Sequence, residues 1–317
     1  MKRILLALCV SLALVVPAHA TDIIKKNVKV IVPFSAGGGI DVTVRMMSDL
    51  APKYMNGQQL IIENLPGGGG VIGQTAAAKA KPDGYTLSAF GPSSLTNPLT
   101  KKTSFTKESF IPVILYCFDP TILVVAKDSP FKGLKDFIAH AKEKPVSVST
   151  AGHSNTQHLG GMQMEKQLGV KFNYVFATGG GQQLPQILGG HVDGALMSLG
   201  EVAAYLKEGS LRCIGLMSDG EYPDMPSMER LSSVGFKVGK SSEWGSARGI
   251  CAISGTPEPM VRALEKAFLG MVNDPLYVER MNRGGYPLMI LNSKDFTEMY
   301  DSLAVILEET LSSIEKK

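Results

Sequence analysis

Hydrophobic positions along the chain switch between two periods. Short apolar runs occur at 28–34, 60–62, 85–90, 111–116 and 121–126, then at 146–149, 172–176, 192–197, 211–216 and 248–253. Runs this short, bounded by Gly, Pro, Asn or Ser, predict strands. Between them, helices are expected from 41, from 71, over 134–142 and 157–168, from 181 to 188 and over 201–207. Thr256 is expected to cap a further helix with Pro257 in its first turn. Its apolar positions Met260, Val261, Leu264, Ala267, Phe268 and Met271 fit the 3.6 period. A last helix starts at Ser293 and carries Phe296, Met299, Tyr300, Leu303, Leu307 and Leu311 on one face. Strands alternating with helices predict α/β domains with mixed, largely parallel sheets.

Four of the strands run into a loop of small residues that opens a helix. The loops are SAGGG at 35–39, PGGGG at 66–70, AGHSN at 151–155 and ATGGG at 177–181. Glycine lets the backbone come close to a ligand, and unpaired N–H groups at a helix start favour an anion. In such sheets ligands bind beyond the carboxyl ends of the strands, where all four loops fall. The first two loops are assigned to one lobe, residues 21–122 plus 250–317, and the other two to a second lobe, residues 123–249. The runs at 121–126 and 248–253 are then the two crossovers. Lobes with facing anion loops, joined by two crossovers, make a clamshell.

Composition narrows the function. Residues 1–20 have the pattern of an export signal: Lys2 and Arg3, an apolar stretch from Ile4 to Val16, and the small-x-small site Ala18-His19-Ala20. Cleavage after Ala20 is expected. Cys9 lies inside the apolar stretch after the bulky Leu8, which argues against a lipoprotein. That segment holds two of the 32 Lys and Arg and none of the 29 Asp and Glu, so the remaining 297 residues carry a net +1. A near-neutral chain offers no broad basic surface for nucleic acid or anionic membrane. Cys117, Cys213 and Cys251 have no CxxC or metal-ligand spacing and read as free core thiols.

The layout and its motifs resemble the solute-binding proteins of tripartite tricarboxylate transporters, the Bug receptors. The resemblance rests on VPFSAGGGID at 32–41 with Arg45 following, ENLPGGGGVIG at 63–73 and AKPDGYTL at 80–87. It extends through STAG at 149–152 with His158 and Leu159, GGHVD at 189–193 and GTP at 255–257. The resemblance implies a two-lobed periplasmic-binding-protein fold of the clamshell, type II-like kind. It also implies a monomeric periplasmic receptor, without catalytic residues, cofactor or metal. Such a receptor closes on a small carboxylate with ordered waters and hands it to a two-subunit membrane permease. A sensory receptor of the same fold is the alternative.

The same resemblance assigns the ligand contacts. The first lobe contributes Phe34, Ser35, Ala36, Gly37, Gly38, Gly68 and Gly69; Asp41 at the first helix start and Ser93 in the turn after the third strand are further candidates. The second contributes His153, Ser154, Asn155, Thr156, Ala177, Thr178, Gly179 and Gly180, with Ser198 and Glu201 as weaker candidates. His153, Leu65 and the split stretch Trp244-Gly-Ser-Ala-Arg248-Gly249 depart from the usual family pattern, and these departures bear on the ligand.

Other chemistries are poorly served. Asp41 either rigidifies its loop at a helix start or meets a ligand ammonium. His153 and His158 lack the spacing and partners of a metal pair. A protonated His153 would hold a distal carboxylate in a pH-dependent way. The GxGxxG of Gly68, Gly70 and Gly73 lacks a following acidic residue for a ribose. The run from Gly235 to Ser241 is one residue short of a phosphate loop. Ser154 sits in an elbow-like stretch, but no acid and base partners for a hydrolase are evident. Trp244 reads as a ligand wall or a lobe interface, and Arg248 as a ligand contact or the partner of a carboxylate across the hinge.

Overall fold

A computed structural model of the chain describes residues 23–219, 228–237 and 244–315. The expected export signal lies outside the described residues, as does part of the run from Gly235 to Ser241.

The first lobe opens with β1 (Val28–Val32), α1 (Gly39–Ser48), α2 (Ala51–Tyr54), β2 (Leu60–Asn64), α3 (Val71–Ala78), β3 (Thr86–Phe90) and α4 (Ser93–Thr100). The long strand β4 (Phe110–Ala126) leads to α5 (Leu134–Glu143), β5 (Val146–Thr150), α6 (Thr156–Leu168), β6 (Phe172–Phe176) and α7 (Gly180–Leu188). The second lobe continues through β7 (Gly194–Ser198), α8 (Leu199–Lys207) and β8 (Leu211–Leu216). The chain returns by β9 (Gly245–Ile253) to α9 (Glu258–Val272), α10 (Pro275–Gly284), β10 (Leu288–Leu291) and α11 (Ser293–Glu315).

The strand order is β2-β1-β3-β9-β4-β7-β5-β6. Strand β1 pairs in parallel with β2 and β3, and β5 with β6 and β7. The antiparallel pairings gather around the long strand β4 and the returning β9. Strand β4 belongs to both sheets. Its residues up to Pro120 pair with β9, and from Thr121 onward it pairs with β7 and β8. The expected runs at 111–116 and 121–126 are thus one strand of 17 residues, with Asp119 and Pro120 at the change of partner. All of β9 lies on the first-lobe side of that change.

Each sheet buries the apolar residues that predicted it. Val28, Val30 and Val32 are fully buried with Val44 and Met47 of α1 and Leu264 and Phe268 of α9. In the second lobe Val146 and Val148 pack with Leu134, Phe137, Leu159 and Leu196. Burying a side chain of this size contributes roughly 1.5–3 kcal/mol, which makes these faces the main source of stability.

Several helix starts differ from expectation, each for a local reason. Thr256 does not cap α9, because its hydroxyl donates to the Ile253 carbonyl, and Pro257 takes the cap position. The turn expected at 91–94 opens α4 instead, with Pro92 as its cap. Helix α10 and strand β10 were not anticipated. Asp274 caps α10 through the Leu276 N–H, and Pro275 sits at the first helical position.

Candidate functional site

The loops at the strand ends converge from both lobes on one cleft. A cavity of about 50 Å³ lies within it, room for a few water-sized groups. Phe34, Gly38 and Gly39 line it from the first loop, with Ile40 beside them. Gly91, Pro92 and Ser93 add the start of α4. The second lobe brings Ala151, Asn155, Thr156 and Gln157 at the start of α6, Gly179 and Gly180 at the start of α7, and Ser198 and Glu201 around the start of α8. Ser246 and Arg248 of β9 close the floor. Three second-lobe helices and two first-lobe helices therefore start at the cavity wall, each with N–H groups that a helix cannot use internally.

Glycine allows the lobes to meet here. A Cβ on Gly38 would lie 3.6 Å from the Gly180 backbone N. One on Gly181 would lie 2.4 Å from the Ala36 carbonyl oxygen. The Ser35 N–H donates to the Thr178 carbonyl at 3.2 Å. Lys101 adds a strap at the rim: its Nζ donates to the carbonyls of Gly68 and His153, at 2.9 and 3.0 Å, and to Asn97 Oδ1.

Of the residues expected to touch ligand, Phe34, Gly38, Ser93, Asn155, Thr156, Gly179, Gly180 and Ser198 line the cavity. The others stand behind it or at its rim. Ser35, Ala36 and Gly37 shape the first loop, and Ala177 and Thr178 lead into α7. Gly68 and Gly69 pack beside the third loop, where a Cβ on Gly152 would lie 3.1 Å from the Gly69 Cα. Their carbonyls are taken by Lys101 and Asn97.

Asp41 bonds to its own loop and its neighbours. Its carboxylate accepts from the Gly37 N–H at 2.9 Å, from Arg45 Nε at 2.9 Å and from Asn64 Nδ2 at 2.9 Å, and it does not line the cavity. Burial alone would raise its pKa. The bonds from Arg45, Gly37 and Asn64 outweigh that and hold it below the ordinary carboxylate value.

His153 and Ser154 are also set back from the cavity. The His153 ring packs tilted against His158 and edge-on to Phe176, with ring centroids 4.9 and 5.2 Å away. Burial and then Lys101 lower its pKa, which opposes the protonated form that a carboxylate contact would use. Burial pushes the His158 pKa down to about 4, with His153 and Lys101 adding to the shift. The neutral His158 Nδ1 accepts from the Ser154 N–H at 3.0 Å. Ser154 itself adopts φ +60°, a conformation rare outside glycine. Its Oγ lies 2.7 Å from His153 Nδ1, and no carboxylate orients that imidazole among the described residues. No group of three or more metal-ligating side chains occurs among the described residues.

The charged floor was the feature least legible from sequence. Arg248 is fully buried and pairs through Nη2 with Asp119 Oδ2. Its guanidinium carbon lies 5.1 Å from the Tyr286 ring centroid. Glu201 Oε1 stands 3.9 Å from Arg248 Nη2 and accepts the Gly39 N–H at 2.8 Å. Asp119 Oδ1 accepts the Gly200 N–H at 3.0 Å. Burial pushes the Asp119 carboxyl up to about 6 against the pull of Arg248. Burial penalises the Arg248 charge too, but Asp119 together with Cys117 and Glu201 keeps it protonated. Trp244 Nε1 donates to the Thr156 carbonyl at 2.6 Å, a bond within the second lobe as assigned, and Trp244 does not line the cavity.

The comparisons agree with this architecture. A protein of Cupriavidus necator, "UPF0065 protein in gbd 5'region", is 28% identical over 290 residues, covering 89% of this chain and 85% of its own. "Protein BugT" of Bordetella pertussis is 27% identical over 237 residues, 72% of each chain. The solved periplasmic binding protein BugD superposes with a TM-score of 0.85 at 24% identity, covering 92% of this chain and 98% of its own. MatC from Rhodopseudomonas palustris, solved with bound malate, gives 0.78 at 26% identity, with 92% and 98% covered. The family model described as tripartite tricarboxylate transporter family receptor (TctC) matches residues 43–304, so the chain belongs to that family of solute-binding receptors.

Proposed function

We propose that this protein is a periplasmic receptor that captures a small carboxylate by closing its lobes and presents it to a two-subunit membrane permease. One observation carries the reading. Glycine-loop helix starts from opposite lobes, Gly38–Gly39 and Gly179–Gly180, meet closely and line one small cavity together. Backbone N–H groups and helix dipoles there favour an anion without a matching set of cationic side chains. The malate held by the related MatC supports the same ligand class.

Closure is a rotation about the two strands that cross between lobes. We place the hinges where β4 changes sheets, at Pro120 and Thr121, and where the chain re-enters the first sheet, at Trp244 and Gly245. The first hinge lies beside the boundary expected at 122. The second lies a few residues before the boundary expected at 250. Closing buries the ligand, and the binding energy shifts the population toward the closed form. The narrow cavity favours an acid of a few carbons and requires opening to admit it.

The reading is tested on protein freed of copurified ligand. A thermal-shift screen of di- and tricarboxylates, acidic amino acids and aromatic acids is followed by calorimetry of any hit. One acid class that raises the melting temperature and leaves the solution unchanged supports a receptor. Turnover of the acid, or no stabilisation by any of them, contradicts it.

A further inference from the structure

The cavity floor has a charge balance that a site for a plain dianion would not need. Among the residues lining the cavity, Arg248 and Glu201 are the charged ones. Asp119 stands behind Arg248 and takes its Nη2. One guanidinium therefore faces two carboxylates, so an incoming anion finds little net positive charge there.

The unpaired atoms point the same way. Arg248 is 1% exposed, yet its Nε and Nη1 have no hydrogen-bond partner among the described residues. Glu201 Oε2 is buried and also without a partner. Unsatisfied buried groups of this kind cost free energy unless a ligand meets them. Glu201 Oε1 meanwhile occupies the Gly39 N–H at the start of α1. The protein's own carboxylate thus holds one position that a ligand carboxylate would otherwise take. Gly180 lets this carboxylate sit close, since a Cβ there would lie 2.4 Å from Glu201 Oε2.

We propose that Arg248 and Glu201 form a paired subsite for a ligand end that carries an acceptor oxygen beside a hydrogen-donating nitrogen. The oxygen accepts from a free Arg248 donor, Nε or Nη1, and the nitrogen donates to Glu201 Oε2. An α-amino acid end and a carboxamide end both have this chemistry. The inference rests on the carboxylate-receptor reading and specifies what the acid carries at its inner end. Glu201 is its specificity-determining residue, because a ligand without the donor leaves Oε2 unpaired and sets two carboxylates against each other.

The test is calorimetry of the wild-type protein and Glu201→Gln with matched acids: succinate, aspartate and succinamate, then glutarate, glutamate and glutaramate. Glutamine keeps an oxygen for the Gly39 N–H, so folding is retained. Glu201→Met, checked for a normal melting transition, is the second variant. The wild type is expected to bind a nitrogen-bearing member about tenfold or more tighter than its plain dicarboxylate. Aspartate against succinamate then distinguishes ammonium from amide. Both variants are expected to narrow that gap by about tenfold, chiefly by gaining affinity for the dicarboxylate. Wild-type binding of acids without this preference, unchanged in the variants, overturns the subsite and leaves the carboxylate reading standing. Failure of every acid with wild type and variants counts against the carboxylate reading itself, and the subsite falls with it.

Discussion

Asp41 holds the first glycine loop from behind. Its carboxylate joins the Gly37 N–H, Arg45 and Asn64, and so ties the loop to α1 and to the end of β2. Asp41→Asn is expected to destabilise the protein by about 1.5–3 kcal/mol at neutral pH, the range for bonds to a charged group. The sign with pH follows from the lowered folded pKa. The stabilisation is fully present above the unfolded value of 3.8 and is lost as pH falls through the folded value. Denaturant unfolding of both proteins at pH 7 and near pH 3 checks this: the difference should shrink at the lower pH. An equal difference at both pH values would mean that the charge is not what matters. At this scale the sequence was a partial guide. It marked Asp41 as a loop residue or a ligand contact, and the bonds from Asn64 and Arg45 are not legible from its position alone. Glu201, Arg248 and Asp119 are far apart in the chain. Only the crossing of β4 and β9 brings Asp119 and Arg248 together, so no local spacing could reveal the pair.

The helix starts at the cleft act as elements. Strand patterns and glycine loops were legible because each depends on neighbours in sequence. Helix α10 carried a readable signal in Asp274 and Pro275, but its apolar face is weak, with Tyr277 and Met281 its buried side chains. The second glycine loop was legible as a loop and not as to its place. Asn97 of α4 and Lys101 just after it draw the loop to the rim, and only a turn at 91–94 is expected there from sequence. A test at this scale uses Gly181 in the first turn of α7. Alanine suits a helix better than glycine by about 1 kcal/mol. Its methyl would nevertheless meet the Ala36 carbonyl of the other lobe, which as backbone cannot step aside. Gly181→Ala is expected to keep or raise the melting temperature of the ligand-free protein while weakening ligand binding about tenfold or more. Calorimetry with the best acid checks it. Unchanged affinity would show that the lobes need not approach this closely.

The whole molecule is one mixed sheet system bent at a shared strand. Because β4 runs through both lobes, the cleft floor and the hinge are made from the same few residues: Asp119 and Pro120 on β4, and Gly245 to Arg248 on β9. The proposed function therefore couples ligand contact at the floor to the angle between lobes. Bonds cross the cleft from Ser35 to Thr178 and from Gly39 to Glu201, and the proposed closure assigns them to the closed form. Solution scattering tests this most directly. The stripped protein is measured without and with a saturating amount of the acid that stabilises it most. Closure on the ligand predicts a smaller radius of gyration with the acid, and a curve that fits the structure described here. Binding confirmed by calorimetry with no contraction would contradict the account.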